Sequence, residues 1–137
     1  MSEPLNLQRT PIHLGLNARA IPQPAFTGGA WYADYASRVD SDGIEGRLVS
    51  MHTFSAPWDS WEMHPHGDEL VLCVSGSLRL IQEIDGRPVS IQLNPGEAAI
   101  NPSGVWHTAD VSTPTTAVFI TAGRDTQARP RDATPTR

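Results

Sequence analysis

From Arg47 onward the chain alternates apolar and polar positions over short stretches, each closed by a turn-forming cluster. Arg47 to Phe54 reads as a strand ended by Ser55-Ala56-Pro57, and Ser60 to His64 as another stopped at Pro65, which cannot donate to a ladder. Glu69 to Val74 and Leu78 to Ile84 flank Ser75-Gly76-Ser77, a hairpin loop. Asp85-Gly86 is a hairpin-turn dipeptide, and Pro88 to Leu93 returns from it. Asn94-Pro95-Gly96 and Asn101-Pro102-Ser103-Gly104 bracket a strand over Glu97 to Ile100, and strands over Val105 to Val111 and Thr116 to Ala122 complete the set. Many short strands separated by regular turn signals predict an all-β antiparallel sandwich or small barrel.

The ends of the chain carry a weaker pattern. Residues 1–44 read as an extended N-terminal arm packing on the barrel, with Trp31-Tyr32 and Tyr35 as strand residues at the start of the ordered core. Residues 45–122 form the barrel, and residues 123–137 a disordered tail. No segment shows a helical period beyond a turn or two.

Composition narrows the class. The 137 residues suit one compact domain, and 12 Pro with 11 Gly disfavour a helical bundle. A net charge of -5 without a dense Lys/Arg cluster argues against nucleic acid or a membrane surface as partner. The arginines of the tail (Arg124, Arg129, Arg131, Arg137) are Pro-interrupted and read as a solvated terminus. The single Cys73 rules out an intrachain disulfide and a multi-cysteine zinc knuckle. No signal-peptide pattern is visible and no run is long enough to span a bilayer, so the cytoplasm is the expected location.

Candidate chemistry concentrates in Trp61-Glu62-Met63-His64-Pro65-His66-Gly67-Asp68-Glu69 and is answered by His107 downstream. Strand alternation points Glu62 and His64 to one side. Glu69, Val71 and Cys73 share a face of the next strand, and Val105 shares the face of His107, so Val71, Cys73 and Val105 are expected to line the pocket. Leu70, Leu72 and Val74 then face outward, as do Trp61 and Met63. That apolar exterior needs a cover, either the arm or a second subunit, and a homodimer is expected. Histidines and carboxylates converging from separate strands make a mixed nitrogen–oxygen site suited to Fe, Mn, Zn, Ni or Co, with room for water or substrate. Trp58, Trp61 and Trp106 read as packing and pocket wall.

The two stretches resemble the paired motifs of the cupin superfamily. The second motif, G-x5-P-x-G-x2-H-x3-N, is met by Gly96, Pro102, Gly104 and His107, with Val111 in place of the final Asn. The second half of the first motif is met by Glu69 and, after six intervening residues, Gly76, while its two histidine positions fall on Glu62 and His64. The pattern is therefore Glu-x-His, and His66 stands by as a substitute ligand or a group behind the ligands. The resemblance implies a double-stranded β-helix (jelly-roll) barrel, a single cupin domain, commonly dimeric, with a divalent metal held by Glu62, His64, Glu69 and His107. It implies a metal-dependent enzyme acting on a small oxygenated metabolite (an organic acid, a dicarbonyl or a phenolic compound) by dioxygenation, decarboxylation or lysis, or isomerisation. The competing expectation is a metal-free, non-catalytic module that binds a small ligand, with Glu62 paired to Arg47 or Arg79. A weaker one is an assembly subunit using the apolar outer face.

Overall fold

Strand boundaries in the computed structural model, which describes residues 3–131, fall close to where the alternation stops. In chain order the elements are β1 (Ile12–Gly15), β2 (Arg19–Pro22), α1 (Trp31–Arg38), β3 (Arg47–Phe54), β4 (Ser60–Met63), β5 (Glu69–Ser75) and β6 (Leu78–Ile84). They continue as β7 (Arg87–Leu93), β8 (Ala98–Asn101), β9 (His107–Asp110), β10 (Thr115–Thr121) and β11 (Gln127–Pro130). Two antiparallel sheets face each other in a jelly-roll sandwich, ordered β2-β1-β3-β10-β5-β8 and β11-β4-β9-β6-β7. Val71, Cys73, Leu78, Leu93, Ala109 and Phe119 meet between them as the core. No helix among the described residues is long and apolar enough to cross a membrane.

The arm departs from the expectation of an extended strand at Trp31–Tyr35. Those residues form α1, because Trp31 and Tyr35 are four apart, and one turn of helix puts both on the buried face. Their rings stack at 5.4 Å, and the Arg38 guanidinium lies 5.5 Å from the Trp31 ring centroid. His13 of β1 ties the arm together, with Nδ1 2.7 Å from the Tyr35 hydroxyl and Nε2 2.7 Å from Asp42.

The tail is also corrected. Residues expected to be disordered supply β11, which pairs along β4 from Gln127↔Met63 to Pro130↔Ser60. Little apolar alternation marks this strand. Arg129 secures it instead, lying over Trp106 at 4.5 Å and Trp61 at 5.4 Å while its guanidinium bonds Glu83 at 2.9 Å. Residues 132–137, with Arg137, lie outside the described residues.

Candidate metal centre

Strand register converts the motif spacings into proximity. Glu62 of β4 lies directly across from His107 of β9, and His107 in turn lies across from Gln82 of β6. His64 follows the end of β4, and Glu69 opens β5 in the opposite sheet, paired with Asn101 of β8. The loops that carry them are bound to each other: Gly104 N–H donates to the His64 carbonyl at 2.9 Å and Ser103 N–H to Asp68 at 2.8 Å. The two sequence motifs therefore form one rigid corner.

Glu62, His64 and His107 each offer a ligand atom, all within 4.8 Å of one another. The Glu69 carboxylate joins them, its oxygens 3.3 Å from His64 Nε2 and 3.2 Å from His107 Nε2. His64, Glu69 and His107 are all buried, and Glu62 is half-buried.

Hydrogen bonds behind the cluster fix the imidazole tautomers. The Thr126 hydroxyl donates to the Gly123 carbonyl at 2.8 Å, so toward His64 Nδ1, also 2.8 Å away, it accepts. His107 Nδ1 faces the Val105 carbonyl at 3.4 Å, which can only accept. Both rings thus carry a proton on Nδ1 and aim Nε2 at the Glu69 carboxylate. Neither Nε2 makes a well-formed hydrogen bond, though both are buried. A cation among them would take both nitrogen donors and the carboxylate charge at once. The donor set, two imidazoles and two carboxylates, suits a divalent first-row ion.

The carboxylates differ in environment. Burial pushes the Glu69 pKa up, but the contacts with His107 and His64 outweigh it and hold the carboxyl well below the usual range. Its oxygens also accept from Asn101 Nδ2 at 3.0 Å and from the Thr121 hydroxyl at 2.6 Å, and Gln82 donates to Asn101 at 2.9 Å. Glu62 moves the other way: burial, then the charge of Glu69, push its pKa up against the pull of His64 and His107.

A cavity of about 1370 Å³ opens over Glu62, His64 and Glu69, walled by Ser50, Phe54, Trp58, Phe119 and Thr121. Residues 52–123, more than half of the chain, match the family model described as the cupin domain. The chain belongs to the cupin superfamily.

Solved structures of similar fold include oxalate oxidase, at 16% identity over 60% of this chain and 44% of that one, with a TM-score of 0.51. A cupin-2 domain containing protein from Shewanella frigidimarina NCIMB 400 aligns at 20% identity over 62% of this chain and 71% of that one, TM-score 0.47. Hydroquinone 1,2-dioxygenase from Sphingomonas sp. TTNP3, with 4-hydroxybenzoate bound, aligns at 16% identity over 53% of this chain and 57% of that one, TM-score 0.45. The chain therefore spans about half the length of the oxidase and the dioxygenase. At these identities the likeness is one of fold. A comparison with curated proteins found no match.

In this cupin four of the expected site residues converge, and the others do not. His66 turns outward, its Nε2 2.9 Å from the exposed Asp125, because Pro65 ends the strand and the alternation that orients Glu62 and His64 lapses after it. Val71 and Cys73 do face inward but are wholly buried in the core, and neither lines the cavity. Val105 sits half-buried in the turn before β9 and contributes its carbonyl to His107 rather than a pocket wall. Trp58 lines the cavity, its ring 6.4 Å from that of His107, whereas Trp61 and Trp106 hold Arg129 elsewhere. Arg79 bonds Asp110 at 3.1 Å, and no arginine among the described residues forms an ion pair with Glu62. The supporting residues Gln82, Asn101, Thr121 and Thr126 carried no motif signal, except that Asn101 stands immediately before Pro102.

Proposed function

We propose that this cupin is a metal-dependent enzyme acting on a small oxygenated metabolite, an organic acid, dicarbonyl or phenolic compound, with Glu62, His64, Glu69 and His107 holding the ion. The observation that carries the reading is the pair of buried, partnerless Nε2 atoms aimed at an ionised carboxylate. A divalent ion would supply a Lewis acid that polarises a substrate carboxylate or enolate. Glu69, kept ionised and oriented by Asn101 and Thr121, is the permanent negative charge of the set. Glu62, whose charged form burial and Glu69 disfavour in the metal-free site, would be held deprotonated by the ion it ligates.

The test is metal loading. Purified protein offered Fe, Mn, Zn, Ni and Co in turn is expected to retain about one ion per chain by elemental analysis. Retention of none of them would remove the metal reading. A preference for iron directs substrate screens to oxygenation, whereas zinc or manganese directs them to lysis, decarboxylation or isomerisation.

The working unit we propose is a homodimer joined through the outer face of the β1-bearing sheet. Register aligns Ile12, Val49, Ile120, Leu70 and Ile100 in one cross-strand row, and Met51, Val118, Leu72 and Ala98 in the next. Ile100 is 57% exposed and Val74 44%, so the row ends uncovered at the β8 edge. Size-exclusion chromatography with light scattering should give twice the chain mass at micromolar concentration, and Leu72→Asp should halve it. A wild-type monomer would refute the dimer.

A further inference from the structure

The wall of the cavity is built partly by the N-terminal arm, through Tyr32, Tyr35 and Ala36. Phe26 and Tyr32 lie outside residues 52–123 that define the family, yet both pack against His52, the first of those residues. The Tyr32 hydroxyl is 3.3 Å from His52 Nε2, and the Phe26 and His52 ring centroids are 5.2 Å apart. From His52 an unbroken aromatic surface leads to the metal centre: Phe119 at 6.2 Å, Trp58 at 6.0 Å from Phe119, and His107 at 6.4 Å from Trp58. Phe54 fills in beside it, 6.0 Å from Phe119 and 5.3 Å from Trp58.

The cavity lining is thus chemically varied. It includes the cluster of carboxylates and imidazoles, the rings of Phe54, Trp58 and Phe119, and the hydroxyl–imidazole pair of Tyr32 and His52. That pair is neutral near pH 7. Burial lowers the His52 pKa, and burial followed by the charges of Glu62 and Glu69 raises that of Tyr32. A neutral pair can satisfy a hydroxyl or carbonyl oxygen, but it cannot compensate the desolvation of an anion. A substrate anion is therefore better served by the metal centre than by this pair.

We infer that the cavity selects planar aromatic acids, with the acid group at the metal centre, the ring along Phe54, Trp58 and Phe119, and a ring hydroxyl or carbonyl oxygen read by His52 and Tyr32. This rests on the metal-dependent reading above and deepens it. His52 and Tyr32 act here as specificity residues, and the arm acts as the substrate-selecting part of the fold.

The test uses zinc-loaded full-length protein and three acids of one shape: 4-hydroxyphenylacetate, phenylacetate and cyclohexylacetate, titrated by calorimetry. The hydroxylated acid is expected to bind about three- to tenfold tighter than phenylacetate, the range of one net hydrogen bond. Phenylacetate should in turn bind more tightly than its saturated analogue, through ring–ring contacts. In His52→Phe and Tyr32→Phe, the advantage of the hydroxyl should vanish, while phenylacetate affinity stays within about twofold of wild type. Equal binding of the hydroxylated and plain acids by wild type, a hydroxyl preference that survives both replacements, or no binding of any of the three would overturn the inference. Each of these leaves the metal reading standing. Failure to take up zinc or any other ion would instead overturn the metal reading, and this inference with it.

Discussion

His107→Ala is expected to lower metal affinity more than about 100-fold while leaving the metal-free fold nearly as stable as before. Loss of groups that merely support a ligand costs roughly 10–100-fold in metal affinity, so loss of a ligand itself should exceed that range. The small effect on the metal-free protein has a separate cause. In the absence of a cation His107 Nε2 makes no well-formed hydrogen bond, so removing the ring breaks none at that atom. The cavity left beside Trp58 sets the loss, on the order of 1–2 kcal/mol. Metal should raise the melting temperature of wild type and leave that of the variant unmoved, since only a ligand that binds the folded state stabilises it. Thr126→Val gives the graded control. It keeps the side-chain volume but removes the acceptor of the His64 Nδ1 proton, so affinity should fall about 10–100-fold, and Thr126→Ser should restore it. A His107→Ala protein that still holds stoichiometric metal would show that the ion, if any, sits elsewhere.

That Thr126 matters could not have been read from the sequence, and the reason is instructive. Alternation and turn residues are local signals, and they located β3 to β10 to within about two residues of the observed ends. The spacing from Gly96 to His107 reports a tight turn followed by a strand, which is again local, and it brought His107 to the cluster. What strand parity reports is inside against outside, not depth along the barrel. Glu69, Val71 and Cys73 share a face, but only Glu69 lies at the mouth, and the next two positions are already packed core. Trp31 and Tyr35 are good strand formers, and only their four-residue spacing marks a helix. β11 is held by cation–aromatic contacts and an ion pair, and neither leaves an apolar period. Thr126 and Tyr32, which serve the centre and the cavity, are carried by those two regions.

Gly76→Ala is expected to be the most damaging single-methyl substitution in the chain, and it separates backbone conformation from close approach. Gly76 lies seven positions beyond Glu69 in the β5–β6 connection, which crosses from one sheet to the other, with φ of +79°. A Cβ there would stand 2.5 Å from Thr115 Oγ1, 2.6 Å from the Pro114 carbonyl oxygen and 2.8 Å from Thr115 Cα. Two of those three atoms are backbone, and Thr115 is fully buried, its hydroxyl bonded to Ser77 and Thr113. Nothing there can give way without moving the start of β10, so the loss should be about 3 kcal/mol or more. Gly104 shares the conformation, φ +81°, but a Cβ there meets no atom within 4 Å. Gly104→Ala should therefore cost only the left-handed strain, roughly 1–2 kcal/mol. Urea titrations of both variants read the difference as a shift in midpoint at unchanged slope. Equal losses would mean that the positive φ alone fixes glycine at this position. A larger loss for Gly76→Ala would assign the motif glycine to the packing of the β5–β6 connection against the β9–β10 connection, a requirement of the fold that the metal does not impose.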